Sequence, residues 1–219
     1  MSLLVVKVGG AVAVSVARQV NDLVSQHQVV VVHGAGPQIT EEMKRRGLPV
    51  EFVNGRRVTS GAALEVVRES LETVNAELSA AIGPLALPLP DGVLAAIRIP
   101  ELGHVGRPLP VAPKLILDAL TAGGIPVVAP LGYGPLNVNA DEAAAALAVG
   151  LCAERLLFVT DVPGVVVEGE VVPTIAAEEA ERLVGDGAFA GGIVPKLLAA
   201  ARAARLGVVT EIGETAVTA

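Results

Sequence analysis

A chain of 219 residues is long enough to bury a substantial core, as one large domain or two lobes sharing a sheet. With 52% hydrophobic but only 2% aromatic residues, that core must be Val, Leu, Ile and Ala, and a charged fraction of 18% excludes an extended disordered chain. The formal net charge of −7 excludes a broad nucleic-acid-binding face, because phosphate repulsion would go unanswered, while leaving room for a small basic pocket.

Strand-like apolar runs alternate with helix-length segments, the pattern of an α/β protein with a largely parallel sheet. Leu3–Val8 reads as the first strand, unusual in carrying Lys7 next to last and in stopping at Gly9-Gly10. The four apolar residues before Lys7 are too few for a signal-peptide core. A helix is expected from about Val14 to Gln26. A second strand at Val29–Val32 runs into His33-Gly34-Ala35-Gly36, and Pro37 suits the first turn of a helix through Arg46. Asn54-Gly55 marks a turn between short extended pieces.

The longest helix begins near Thr59-Ser60 and runs to about Ile82. Its Leu64, Val67, Leu71, Val74 and Leu78 keep three-and-four spacing, as a core stripe or a dimer seam. Gly83–Pro110 is rich in proline and glycine and is expected to carry short strands such as Leu94–Ile99. Lys114–Ala122 reads as a helix and Pro126–Ala129 as a buried strand. The uncharged stretch Ala119–Ala140 holds too many glycines and prolines for a lipid-exposed span. Asp141–Cys152 is an alanine-rich helix and Leu156–Thr160 a strand. A turn-and-hairpin region, Asp161–Pro173, precedes helices near Ala176–Val184 and Pro195–Leu206, and Val208–Glu211 is a last strand. Cys152 is the single cysteine, so no intrachain disulfide forms and a reducing cytoplasm is the simplest setting; it is expected as a small core residue.

Three glycine-containing segments follow apolar strands: Val8-Gly9-Gly10, His33-Gly34-Ala35-Gly36 and Thr160-Asp161-Val162-Pro163-Gly164. Ligands of open α/β sheets bind beyond the carboxyl ends of the strands, where glycine lets backbone N–H groups approach an anion. Each segment alone is an ordinary strand-to-helix turn; together they point to one anion-binding edge. Neither a Walker A pattern nor G-x-G-x-x-G follows the first strand, which disfavours those phosphate cradles.

In Asn137-Val138-Asn139-Ala140-Asp141 a polar cluster opens a helix. Capping needs one such residue, and here three stand within five. Lys196, after Gly191-Gly192, falls in the first turn of a helix, where its charge opposes the helix dipole; it is a surface lysine unless an anion binds there. Two lysines at element ends, glycine-rich turns and one acid suit phosphoryl transfer, in which catalysis is positioning and charge neutralisation. No histidine stands out as a base: His33 ends a strand and reads as structural, His104 lies in a loop and His27 at a polar helix end. A carboxylate acceptor needs no base, being already ionised at neutral pH.

In order along the chain, Val5–Gly10 (VVKVGG), Val31–Ile39 (VVHGAGPQI), Asn54–Thr59 (NGRRVT), Glu101–Gly106 (ELGHVG), Asn137–Ala144 (NVNADEAA), Thr160–Val165 (TDVPGV) and Gly191–Lys196 (GGIVPK) resemble the amino-acid kinase family, and NGRRVT and NVNAD its acetylglutamate branch. The resemblance implies a three-layer αβα sandwich with a mostly parallel central sheet. Residues 1–152 would form the amino-acid-substrate and dimerisation lobe, and 153–219 a shortened nucleotide-binding lobe. It implies that Lys7 and Lys196 neutralise the phosphoryl group in flight while Asp141 holds both lysines. Gly34 and Ala35, with Gly10, would donate backbone N–H groups. Arg57, rather than Arg56, would take the α-carboxylate, Asn137 the acetamido and carboxylate end, and Asn139 would support it. Gly9, Gly10, Asp161, Val162, Pro163, Gly164, Val165, Val166, Ala188, Phe189 and Ala190 would meet ATP, with Mg²⁺ carried mainly by the phosphates and no protein metal site. The implied reaction is γ-phosphorylation of N-acetyl-L-glutamate, in arginine synthesis, by an arginine-insensitive cytoplasmic homodimer built through Ser60–Ile82.

The chain departs from the family pattern at three places. Ala35 replaces a glycine, so a left-handed backbone there would cost about 1 kcal/mol or more. Pro84–Pro90 is apolar and proline-rich where the family has a small glycine-rich loop. Only 23 residues (197–219) follow Lys196, where the family has a further helix before its final strand, and Gly213-Glu214-Thr215 reads as a remnant of that ending. The competing readings are a kinase for a carrier-protein-linked aminoadipate or glutamate, docking through Lys44, Arg45, Arg46, Arg56 and Arg57, and a non-catalytic ligand-binding module on the same fold.

Overall fold

A computed structural model describes residues 1–9, 13–160 and 162–219 of the chain. Strand β1 (Leu3–Val8) is followed by α1 (Ala13–Val24), β2 (Gln28–His33), α2 (Gly36–Arg45), a hairpin of β3 (Phe52–Val53) and β4 (Arg56–Arg57), and the long α3 (Gly61–Ile82). Then come β5 (Ala86–Leu89), β6 (Ala96–Arg98), β7 (Val105–Pro108), α4 (Lys114–Thr121), β8 (Ile125–Val128), β9 (Leu131–Gly132), β10 (Leu136–Val138) and α5 (Ala140–Gly150). The remainder comprises β11 (Arg155–Val159), β12 (Val166–Val167), β13 (Glu170–Val171), β14 (Thr174–Ala176), α6 (Ala177–Gly185), α7 (Ile193–Arg205), β15 (Val209–Ile212) and β16 (Thr215–Thr218).

The main sheet runs β14-β16-β15-β11-β1-β2-β8-β5 and is parallel throughout except where β15 meets β16. Its central strands are nearly continuous apolar runs because helices cover both faces. Alternation along each strand then sorts the side chains. Val6, Val8, Val29, Val31 and Val127 pack with Val16 and Val20 of α1 and Leu78 and Ile82 of α3. Val5, Val30, Val32, Leu156 and Phe158 pack on the opposite face with Leu147 of α5 and Leu197 and Ala200 of α7. The three layers expected from the sequence are therefore present. Lys7, two residues after Val5, shares the α5–α7 face, at the carboxyl end of β1 and in register with Phe158 and Val32.

Ser60 caps α3 by accepting from the Ala63 N–H, and the stripe Leu64, Val67, Leu71, Val74 and Leu78 is buried within the chain itself. The stripe is core, not a seam left open for a second copy. The outward side of α3 carries Glu65, Arg68, Glu69 and Glu72.

Several boundaries differ from expectation for identifiable reasons. Pro84–Pro90 is not a loop, since it contains the edge strand β5 paired with β8; proline is tolerated on an edge, where a missing N–H breaks no ladder. Helix α5 stops at Gly150, and Cys152 sits beyond it with φ 52°, exposed rather than in the core. The chain end is a hairpin: Gly213-Glu214 joins β15 to β16, and β16 pairs with β14. Strands β9 and β10 form, with β6 and β7, a small second sheet that carries Asn137. Among the described residues no helix is long and apolar enough to cross a membrane.

Candidate functional site

A cleft of about 740 Å³ opens at the carboxyl ends of the parallel strands. Its charged floor is built by β1, α5 and α7. Asn139 caps α5, its side-chain oxygen accepting from the N–H groups of Asp141 and Glu142 at 2.9 and 3.1 Å. That cap places the Asp141 carboxylate in the first turn, where the helix dipole favours it. Lys7 Nζ lies 2.8 Å from Asp141 Oδ1, and Lys196 Nζ lies 3.3 Å from the same oxygen. All three groups are buried. Two ammonium ions on one carboxylate oxygen leave a local excess of positive charge. Burial pushes the Lys196 pKa down, and the Lys7 charge adds to that while Asp141 opposes it. The ammonium also lies 5.3 Å from the centroid of the Phe158 ring, the next strand's answer to the same register position.

A second cationic group faces the cleft from the β3–β4 hairpin. Asn54 (φ 49°) and Gly55 (φ 76°) give the two left-handed residues of a tight hairpin turn. The hairpin is fastened to α5: Asn139 Nδ2 donates to the Gly55 carbonyl at 2.9 Å, and Arg56 forks onto Glu142 at 2.8 and 3.2 Å. Arg56 is thereby neutralised. Arg57 is not: it is buried, it donates to the Gly36 carbonyl at 3.1 Å and to Thr40 Oγ1 at 2.8 Å, and it stacks 4.6 Å from the Phe52 ring centroid. It has no carboxylate partner among the described residues, and burial lowers its pKa. Asn137 donates to Thr59 Oγ1 at 3.0 Å, and Thr59 in turn donates to the Arg57 carbonyl at 2.7 Å, so Asn137 and the arginine backbone form one buried chain. Phe52 and Thr59 carry no site signal of their own in the sequence; Thr59 closes the NGRRVT stretch and Phe52 lies just before it.

The turn after β2 completes one wall. Ala35 has φ −141°, outside the left-handed region, so alanine carries no strain there. The Gly34 N–H is already engaged, donating to the Val8 carbonyl at 3.0 Å as an extension of the sheet. The Ala35 N–H, by contrast, has no acceptor among the described residues, and Ala35 lines the cleft.

The expected nucleotide contacts divide. Gly9, Val162 and Ala190 line the same cleft as Lys7 and Lys196. Gly10 and Asp161 lie outside the described residues. Pro163, Gly164 and Val165 do not line the cleft, and hydrogen bonds fasten their turn to the β15–β16 hairpin. Glu214 donates its N–H to the Pro163 carbonyl at 2.7 Å, and Val165 donates to Thr215 Oγ1 at 2.8 Å, with Val165 itself fully buried. Gly213-Glu214-Thr215 is thus a clasp. Val166 lies on the exposed β12, Phe189 packs against the core, and Ala188 donates to the Leu183 carbonyl; none of the three lines the cleft.

The basic cluster available to a carrier protein is largely spent on neighbours. Arg45 and Arg46 both bind Glu42, Arg46 also binds Glu69, and Arg56 binds Glu142. His33 is fully buried and paired with Asn75, in keeping with a structural residue.

Residues 2–212 match the amino acid kinase family. An acetylglutamate kinase of Rubrobacter xylanophilus is 47% identical, over 97% of this chain and 88% of its own. One from Geobacillus kaustophilus is 43% identical over 78% and 72%, and one from Methanothrix thermoacetophila 36% identical over 94% and 82%. Among solved structures, smu.665 from Streptococcus mutans UA159 superposes with a TM-score of 0.87 at 29% identity, covering 99% of this chain and 98% of that one. Carbamate kinase from Giardia lamblia bound to citric acid shares the fold, with a TM-score of 0.72 at 15% identity.

Proposed function

The chain belongs to the amino acid kinase family, and on that premise we propose that it transfers the γ-phosphoryl group of ATP to the γ-carboxylate of N-acetyl-L-glutamate, giving ADP and an acyl phosphate. The observation that carries the reading is the division of positive charge within one cleft. Lys7 and Lys196 converge on a single carboxylate oxygen, while Arg57 is buried with no carboxylate partner among the described residues. The first group suits a phosphoryl in transfer and the second a substrate carboxylate.

Arg57 and Asn137 orient the acid, and the planar fork of Arg57, already stacked on Phe52, fixes the α-carboxylate. The γ-carboxylate attacks as the anion, so no side chain removes a proton. Lys7 and Lys196 offset the charge spread over the phosphoryl oxygens, and Asp141 keeps both ammonium groups in place against their mutual repulsion. The Ala35 N–H adds a donor. Mg²⁺ enters with the nucleotide as part of that substrate.

The lobe of residues 1–152 holds the acid and that of 153–219 the nucleotide, with the sheet continuous through both. We place the enzyme in the cytoplasm, in arginine biosynthesis, as a homodimer through the outer side of α3. The carrier-linked alternative is not favoured, because three of the five residues of the basic cluster it needs, Arg45, Arg46 and Arg56, are paired internally. A binding module has no use for Lys7, Asp141 and Lys196 together. ADP release with MgATP, comparing N-acetyl-L-glutamate with glutamate and aspartate, tests the reading. Turnover is expected with acetylglutamate alone, and equal rates without acceptor would refute it.

A further inference from the structure

Around the end of β2 a polar pair sits where aliphatic side chains would fill the space at less cost. Asn75 on α3 places Nδ2 2.8 Å from the Val127 carbonyl oxygen and 3.0 Å from His33 Nε2. Its own Oδ1 is buried without a partner, a desolvation cost that a leucine would avoid. A carbonyl oxygen only accepts, so the atom beside Val127 is the amide nitrogen, and its second hydrogen goes to Nε2. Nε2 is then the acceptor, and the neutral ring carries its proton on Nδ1. Burial keeps the ring neutral, lowering its pKa from 6.5 to about 4.

Nδ1 lies 3.4 Å from the Gly34 carbonyl oxygen. The Gly34 N–H is held by the Val8 carbonyl, so the residue is gripped from both sides. The peptide from Gly34 to Ala35 is trans, so the Ala35 N–H points opposite to the carbonyl that His33 engages. That N–H is the donor at the cleft wall with no acceptor among the described residues.

We propose that His33, locked in its Nδ1–H form by Asn75, is a positioning residue that aims the Ala35 amide at the transferring phosphoryl group. It touches no substrate and exchanges no proton, and its role rests on the acyl-kinase reading above. Three substitutions separate this from packing. The Asn amide nitrogen stands two bonds from Cβ, like Nδ1, whereas that of Gln stands three bonds away, like Nε2. His33→Phe and His33→Gln therefore lose the donor to Gly34, and His33→Asn keeps it. Removing a whole oxyanion donor costs about 10²–10³ in kcat, and misaiming one costs less, about tenfold, with both KM values within about threefold of wild type.

Steady-state ADP release with MgATP and N-acetyl-L-glutamate should show that drop for Phe and Gln and recovery for Asn. A Gln variant that recovers as well as Asn, or a change confined to KM, overturns the proposal. Long-range ¹H–¹⁵N NMR of the unaltered protein is expected to show His33 protonated on Nδ1, and an Nε2–H ring overturns the proposal even if every variant unfolds. Wild-type inactivity toward acetylglutamate would sink the functional reading. An active wild type with an unimpaired His33→Phe would sink this one alone.

Discussion

The same histidine makes acid stability a quantitative test. His33 is held near pKa 4 by burial, against 6.5 for the free side chain, and the groups around it, Asn75, Gly34 and the Val127 carbonyl, are uncharged. Between those two values the unfolded chain binds a proton that the folded one does not, so stability rises with pH and is lost as pH falls. At about 1.36 kcal/mol per pH unit, the full gap is worth about 3 kcal/mol. Two-thirds of it, about 2 kcal/mol, is gone by pH 5. His33→Gln has no such titration. The assay is urea unfolding of both proteins at pH 8 and pH 5, since the carboxylates they share cancel in the difference. With a urea slope of about 2 kcal/mol/M, the wild-type midpoint should fall relative to the variant by about 1 M over that range. A difference between the two midpoints that stays flat from pH 8 to pH 5 would refute the claim that His33 is buried and neutral.

At the charged floor, Lys196→Ala should lower kcat about 10³-fold in the ADP-release assay while leaving the melting temperature near wild type. Asp141→Asn removes attractions of about 6 and about 5 kcal/mol at an effective dielectric of about 20, at 2.8 and 3.3 Å, and leaves two buried ammonium groups facing each other. It should lose both stability, by about 3 kcal/mol in chemical denaturation, and activity. Arg57→Ala should raise KM for the acid about 100-fold with KM for ATP unchanged, and Arg57→Lys should not restore it, because an ammonium has no planar face for Phe52. Thr215→Val strips the acceptor from the buried Val165 N–H and should cost about 1–3 kcal/mol in thermal unfolding while raising KM for ATP, through a loosened Pro163–Val165 turn.

What the sequence disclosed depended on how far each signal had to travel. The alternation of Val5, Val6, Lys7 and Val8 determines which face Lys7 joins, so the strand and its odd lysine were legible within six residues. The α3 stripe and the polar start of α5 were equally local. Two-residue strands such as β9 carry no pattern of their own, and their pairing comes from neighbours distant in sequence. That the Pro163–Val165 turn is fastened to Thr215 was not legible, because that partner lies fifty residues later. At Gly34 too the partner is out of sight: a glycine in an anion-binding pattern does not disclose that its N–H extends the ladder to Val8.

The placement of charge explains why this arrangement belongs to an acid acceptor. The chain carries a formal net charge of −7, yet the cleft gathers Lys7, Lys196 and Arg57 against Asp141, with Arg56 balanced by Glu142. An anionic acceptor must come to an anionic nucleotide, and their repulsion opposes the reaction before any bond changes. A cation that already has a carboxylate of its own does little to relieve that repulsion. On the proposed reading, an Arg57 that is buried with no carboxylate partner among the described residues keeps its charge for one carboxylate of the substrate, while the lysines, sharing one oxygen, retain charge for the phosphoryl. A monocarboxylate acceptor would satisfy the lysines and leave Arg57 buried and unanswered. On the proposed reading, selectivity for an acid with two carboxylates therefore follows from Arg57, and reactivity from the two lysines.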